Sequence, residues 1–445
     1  MAGSRAQSAP ATDRPGRVKM MSNLGCMLAR EEELRVLVVH NQYQQRGGED
    51  SVVEAEIALL HSMGADVHTM IYDSRDEQRL QQVKRRPDLL AFNGETYRHA
   101  RRLIVEYDIQ VVHCHNLFPL LTTSIYAAAH AENTPIIQTV HNYRMGCLNG
   151  LHLRRGEVCE RCRPGYHLPG MAFGCYRSSH VQSMAFGAVQ TINYLRRAWD
   201  EPTLYVAPGQ FLADKLIAWG VPRDKVVVKP HFVPYTDTPS ADLGDYALFV
   251  GRLSAEKGLD LLLDAWSPHR LPLIIVGDGP LREHLAERIH REGLSNVSLV
   301  GYQEKPALNN LLHNARFLVM PSVCFETFGL VLIEAYAHGV PVIATRLGAM
   351  GDVVRDGVTG HLFTLNDRDD LATKVSWLEK DTEELRRMRQ AARREYETSF
   401  SPDANRNHMR AMYTYALQQR ASDPRVPTGL APEAAAADRL TRQST

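Results

Sequence analysis

Two glutamates framing a loop-to-helix junction carry the strongest chemical signal in this chain. They are Glu326 and Glu334, in the stretch MPSVCFETFGLVLIEAYAHGVPVIAT at 320–345. The apolar run ending at Pro321-Ser322 suits a strand leaving a core, and the apolar spacing from Phe328 to His338 suits a helix. Gly339 supplies the stop before a second buried strand. A helix opening near Phe328-Gly329 points unpaired backbone N–H groups at whatever sits above the strand ends, which suits a phosphate or diphosphate. Glu326 and Glu334 can then accept hydrogen bonds from sugar hydroxyls on either side of that diphosphate. Taken alone, the stretch is equally a helix on a sheet with two solvated glutamates.

Other loops add compatible chemistry. GRLSAEKG at 251–258 carries Arg252 and Lys257, two cations able to neutralise a diphosphate leaving group. Gly47-Gly48, in QQRGGEDS, allows close backbone approach to a charged or bulky ligand, although a lone Gly-Gly is more often an ordinary turn. His141, in QTVHNYR, stands at a strand tip, where it can bond a sugar hydroxyl or transfer a proton; a structural histidine is the rival reading. His113 and His115, in VVHCHN, are weaker candidates of the same kind.

These loops need strands to hold them. Short β-branched runs at 34–39, 66–71, 111–113 and 136–140 alternate with helical stretches, and a second cycle begins at 247–251. That alternation predicts an α/β protein with two doubly wound sheets, each binding ligand at its carboxyl edge. Every motif above falls at the carboxyl end of a strand. The expected divisions are a disordered 1–33, a first domain at 34–225, a linker at 226–244, a second domain at 245–385, C-terminal helices at 386–420 crossing back to the first domain, and a disordered tail at 421–445.

Composition excludes some classes. Lysine plus arginine and aspartate plus glutamate both number 51, so bulk charge gives no support for nucleic-acid binding. No segment has the roughly 20 apolar residues of a membrane span, and the N-terminus has no apolar core of signal-peptide length. A cytoplasmic protein is the expectation. Within it, Cys147, Cys159, Cys162 and Cys175 form C-x11-C-x2-C-x12-C, an insert at 147–175 with the ligand count of a structural zinc site; two disulfides or free thiols are the alternatives. Eight arginines between Arg144 and Arg197 face only Glu157 and Glu160, which suggests a face for anionic lipid headgroups on the inner side of a membrane or for a phosphate-bearing lipid acceptor, or equally a solvated surface.

The combination resembles the family 4 glycosyltransferases, retaining enzymes of the two-Rossmann-domain GT-B architecture, in which the domains face each other across a cleft. The carrying motifs are GRLSAEKG, GDGP at 277–280, ETFGLVLIE with its Glu-x7-Glu spacing, RGGED and the histidine of VHNY. The resemblance implies that 34–225 is the acceptor side and 245–385 the nucleotide-sugar side. It implies that Glu326 contacts the donor sugar, Glu334 the ribose, and Arg252 and Lys257 the diphosphate. Backbone at Phe328, Gly329 and Leu330 would support phosphate and sugar, with Gly47-Gly48 approaching from the first domain and His141 bonding the transferring sugar. Thr327 departs from the pattern, since glycine is frequent there, and is expected to tune the sugar fit. No metal or other cofactor is expected in catalysis, because no Asp-x-Asp pair stands at a strand end. The acceptor is expected to be a glycan or lipid-linked molecule in cell-surface polysaccharide or glycolipid assembly. A nucleotide-sugar epimerase and a catalytically inactive nucleotide-binding scaffold are the rivals.

Overall fold

The runs of Val, Leu and Ile that open each cycle form strands buried on both faces, as parallel strands between helix layers must be. A computed structural model describes residues 33–44, 46–235, 239, 242–266 and 271–422 of the chain. The first half contributes β1 (Arg35–Gln42), β2 (Asp66–Asp73), β3 (Val111–Cys114), β4 (Ile136–Thr139), β5 (Leu153–Arg154), β6 (Glu157–Val158), β7 (Leu204–Ala207) and β8 (Val226–Val228). Six of them make a parallel sheet in the order β2-β1-β3-β4-β7-β8, and β5 and β6 form a separate antiparallel hairpin in the cysteine insert. The stretch 226–244, expected as a linker, thus begins with a strand of this sheet. Its prolines suggested a linker, but Val226, Val227 and Val228 precede Pro230 and pair beside β7.

The second half contributes β9 (Tyr246–Val250), β10 (Leu273–Val276), β11 (Val297–Gly301), β12 (Ala315–Met320), β13 (Val342–Thr345) and β14 (Gly360–Phe363), in the order β11-β10-β9-β12-β13-β14. In each sheet the chain reverses its direction of winding once. The reversal lies between β1 and β3 in the first sheet and between β9 and β12 in the second. Loops leaving the carboxyl ends of strands at such a point diverge and leave a crevice.

Alternation along β1 sends Leu37 and Val39 to one hydrophobic layer and Val36 and Val38 to the other. Beyond the second sheet, helices Arg368–Lys380 and Thr382–Glu395 pack on its own layers through Leu371, Val375, Leu385 and Met388. The last helix, Pro402–Ser422, packs instead on the first sheet, placing Met409, Met412, Tyr413 and Ala416 against Val36 and Val38. Residues 1–32 and 423–445, in the two stretches expected to be disordered, lie outside the described residues.

Candidate active site

The two crevices face each other. From the second sheet, the loop after β9 carries Arg252 and Lys257, and the loop after β12 carries Glu326. Gly258 joins them tightly: at φ +68°, an added Cβ would lie 2.0 Å from the carbonyl oxygen of Pro321. Lys257 Nζ lies 2.6 Å from Glu326 Oε1, and the Ser322 hydroxyl donates to the same oxygen at 2.7 Å. Burial alone would raise the Glu326 carboxyl, but Lys257 and Ser322 outweigh it and hold the pKa below the ordinary carboxylate value. Burial would likewise lower Lys257, and Glu326 keeps it raised. Both groups are therefore charged. Arg252 is exposed, and its guanidinium has no partner among the described residues.

The helix after β12 is Leu330–Ala337, with Gly329 at its N-cap in the left-handed region at φ +87° and Phe328 buried beneath. Its carboxylate Glu334 pairs with Lys305, a half-exposed lysine that a ligand hydroxyl would have to displace or share. The first domain meets this helix directly: a Cβ on Gly48 would lie 2.8 Å from Leu330 Cδ1, so glycine permits the approach. A Cβ on Gly47 would meet nothing within 4 Å.

Opposite Glu326 stands His141. Its Nε2 is 2.9 Å from Nδ1 of His115, and its ring is stacked between those of His115 and His231, each 5.2 Å away. His231 in turn lies 5.1 Å from Phe328. Burial first, then unfavourable charge interactions with His231, His40, His113 and Lys229, pushes the His141 pKa well below its ordinary value, so the ring is neutral at physiological pH. Burial, aided by Lys229 and opposed by Glu56, lowers His113 to about 4 and His231 to about 3. Beneath the column, Lys229 Nζ sits 2.7 Å from Glu56 Oε1.

Among the described residues, only Glu56, His113 and His115 bring three metal-ligating atoms within 4.8 Å of one another. They do not fit a metal. Both ring nitrogens of His113 are engaged, with Tyr413 at 2.7 Å and Thr139 at 2.8 Å, and Lys229 already supplies a cation to Glu56. Cys147, Cys159, Cys162 and Cys175 are free thiols lining one small cavity of about 20 Å³, and their sulphurs do not form a second such group.

A larger cavity of about 110 Å³ opens beside His141 in the first domain. Phe118, Phe186, Val189 and Trp199 give it apolar walls, and Glu49 and Arg144 stand at its edge. Glu49 Oε1 is buried without a partner. Burial raises the Glu49 carboxyl above its ordinary value, against the pull of His40, the Tyr43 hydroxyl and Arg144.

The sequence motifs thus bring Lys257, Glu326, Phe328, Leu330, Gly48 and His141 to one cleft, while Gly47, Arg252 and Glu334 lie on its rim. Motif reading missed Lys229, His231, Glu56 and Ser322. It also missed the contacts that close the cleft: Thr327 Oγ1 to the His141 carbonyl at 3.0 Å, Tyr143 Oη to the Glu326 carbonyl at 3.2 Å, and the Phe211 N–H to Asp352 Oδ2 at 2.8 Å. None carries a local signal, because each pairs a common polar group with backbone far away in sequence.

Comparison with known proteins agrees with this architecture. Residues 46–236 match the family described as Glycosyltransferase Family 4, and residues 238–395 match Glycosyl transferases group 1. The chain is 32% identical over 210 residues to the O-antigen chain mannosyltransferase C of Escherichia coli, covering 44% of this chain and 57% of that protein. It is 28% identical over 320 residues to a D-inositol 3-phosphate glycosyltransferase of Jonesia denitrificans, covering 69% and 71%. The chain spans about half the length, or less, of the first curated relatives it matches. Among solved structures, Anabaena Alr3699/HepE in complex with UDP and glucose aligns with a TM-score of 0.61 at 17% identity, covering 86% of this chain and 100% of that one. Sucrose-phosphate synthase from Thermosynechococcus elongatus aligns at 0.64 and 17%, covering 88% and 100%. With its two family matches running in succession over most of a GT-B fold, the chain belongs to the family 4 glycosyltransferases.

Proposed function

We propose that this protein is a retaining glycosyltransferase that moves a sugar from a nucleotide-diphosphate donor to a glycan or lipid-linked acceptor in cell-surface polysaccharide or glycolipid assembly. The observation that carries the reading is the Lys257–Glu326 ion pair at the switch point of the second sheet, facing the neutral His141 of the first. Lys257 and Arg252 answer the charge that develops on the diphosphate, and the N-terminus of Leu330–Ala337 adds backbone donors. Glu326 and His141 hold the sugar from two sides, and Glu334 takes the ribose in exchange for Lys305. The anomeric C–O bond breaks with its electron pair passing to the diphosphate oxygen. The acceptor hydroxyl bonds to the same face of the anomeric carbon, and its proton goes to that phosphate oxygen. The relative named for O-antigen chain mannosyl transfer supports a cell-surface product.

A structural zinc ion at Cys147, Cys159, Cys162 and Cys175 completes the proposal. The insert has two strands of two residues and a helix of five, and its four cysteines line one cavity. Four thiolates drawn together on one metal would tie the hairpin to the short helix.

The test is thermal stabilisation by UDP-, GDP-, ADP- and dTDP-sugars, with a Glu334→Ala variant beside the wild type. Stabilisation by one donor, weakened in the variant, supports the reading and names the donor for transfer assays. A folded protein that no donor stabilises, and that transfers no sugar from any of them, refutes it in favour of an inactive scaffold.

A further inference from the structure

The helix His180–Leu195, HVQSMAFGAVQTINYL, contains no Asp, Glu, Lys or Arg in 16 residues. Its two faces are the reverse of a water-soluble amphipathic helix. The buried face carries Ser183, Gln190 and Asn193 beside Phe186 and Val189. The outward face carries Val181, Met184, Ala188, Ile192 and Leu195, whose spacing of three and four residues makes one stripe about 20 Å long. Val181 is 78% exposed, Met184 61% and Leu195 73%. The short helix Leu168–Ala172 lies alongside, since a Cβ on Gly187 would meet the Met171 side chain at 2.3 Å, and it adds exposed Leu168 and Phe173 to the same region. Eight of the sixteen large apolar side chains exposed among the described residues fall between 166 and 195. Single exposed apolar residues need no explanation; a contiguous group does.

Charge says what covers it. Arg177 stands before the helix and Arg196 after it, both exposed. Arg154 and Arg161 surround the Phe173 ring at 3.7 and 5.7 Å. The acids between 144 and 197 are Glu157 and Glu160, of which Glu160 is paired with Lys215; just past the helix Asp200 pairs with Arg197, leaving Arg177 and Arg196 without a carboxylate partner among the described residues. An apolar stripe flanked by unopposed arginines matches the interface of an anionic bilayer, where acyl chains lie beneath phosphates. No helix among the described residues is long and apolar enough to cross a membrane, so the contact is in the plane of the surface.

The same helix also builds the site. Phe186, Val189, Gln190 and Asn193, on its inner face, line the cavity beside His141. We propose that His180–Leu195 lies in the surface of an anionic membrane and delivers a lipid-linked, phosphate-bearing acceptor to the cavity on its other side. This rests on the glycosyltransferase reading above and narrows its acceptor to a membrane lipid.

Flotation with vesicles of phosphatidylcholine containing about one third phosphatidylglycerol tests it. The wild type is expected to float with these vesicles and not with pure phosphatidylcholine. Val181→Ser with Leu195→Ser is expected to cut partitioning by about tenfold or more. Its melting temperature and its stabilisation by the panel of nucleotide sugars should be unchanged, because neither residue lines the cleft. Wild type remaining wholly in solution overturns the proposal. So does a dimer in analytical ultracentrifugation that the same substitutions dissociate, which would assign the stripe to a second copy of the chain. Retained nucleotide-sugar binding with no flotation defeats this inference alone, whereas loss of all donor binding in the wild type defeats the function on which it rests.

Discussion

The hydroxyl of Thr327 donates to the backbone carbonyl of His141 across the cleft, at 3.0 Å. Next to it the Tyr143 hydroxyl, two residues beyond His141, returns a bond to the carbonyl of Glu326. Donor loop and acceptor-side strand end therefore clasp each other through backbone. They fix the distance between the two proposed catalytic groups without using either side chain. Thr327 is also where this chain departs from the glycine frequent in its family's motif.

Thr327→Val keeps the shape and removes the donor. A hydrogen bond is worth about 1 kcal/mol net, so the apparent donor KM should rise by about fivefold, with a smaller change in kcat. Steady-state kinetics at saturating acceptor would check it. An unchanged KM would show that the cleft closes without this clasp.

Lys257→Met should cost more than its own contacts suggest. It strands the Glu326 carboxylate, only 15% exposed, with the Ser322 hydroxyl as its one remaining partner. Leaving one charge of such a pair behind costs on the order of 3 kcal/mol, and denaturant unfolding should register a loss of that size. Adding Glu326→Gln should recover most of the stability while donor binding stays weak.

Gly48→Val should hold the cleft open, because the new side chain would occupy the place of the Leu330 Cδ1 methyl. Overpacking of this kind costs about 1–3 kcal/mol, which predicts about a tenfold loss in nucleotide-sugar affinity by titration. Gly48→Ala should be milder, since the atom it meets is the end of a flexible side chain. Leu330→Ala in the Gly48→Val background should restore part of the affinity.

The histidine column makes the fold acid-sensitive. His113 and His231 have folded pKa values of about 4 and about 3, below the usual 6.5 of an unfolded chain. Between those limits the unfolded chain binds more protons than the folded one, so stability rises with pH. Their contribution is fully present above about pH 6.5 and is lost as pH falls toward 4, with up to about 1.4 kcal/mol per pH unit for each ring. The melting temperature should fall steeply from pH 7 to pH 5. His113→Asn should flatten that slope even where it lowers stability at pH 7.

Metal analysis of protein purified without chelator should give one zinc per chain, with Cys147→Ser and Cys175→Ser variants losing it. Four titratable thiols and no zinc would dismiss the metal.

The repeated cycle of short β-branched runs made both sheets legible, since buried parallel strands require such runs. GRLSAEKG and ETFGLVLIE were legible for a local reason: a loop that must approach backbone or phosphate needs glycine and cations at fixed offsets. The support behind His141 was not. Glu56 and Lys229 are 173 positions apart, and His113 and Tyr413 are 300 apart. His231 lay in a proline-rich stretch that read as linker. Nor does periodicity say which side of a helix is buried, and only the packing of 180–195 on its neighbours places Gln190 and Asn193 inside.

The packing of Pro402–Ser422 on the first sheet has a consequence for synthesis. When β8 leaves the ribosome, all six strands of that sheet have been made, yet the face bearing Val36 and Val38 still lacks Met409, Met412 and Tyr413. The nascent chain must carry that exposed apolar face while nearly 200 further residues are translated. Chaperone occupancy should therefore peak on nascent chains that stop before residue 402 and fall once the last helix docks.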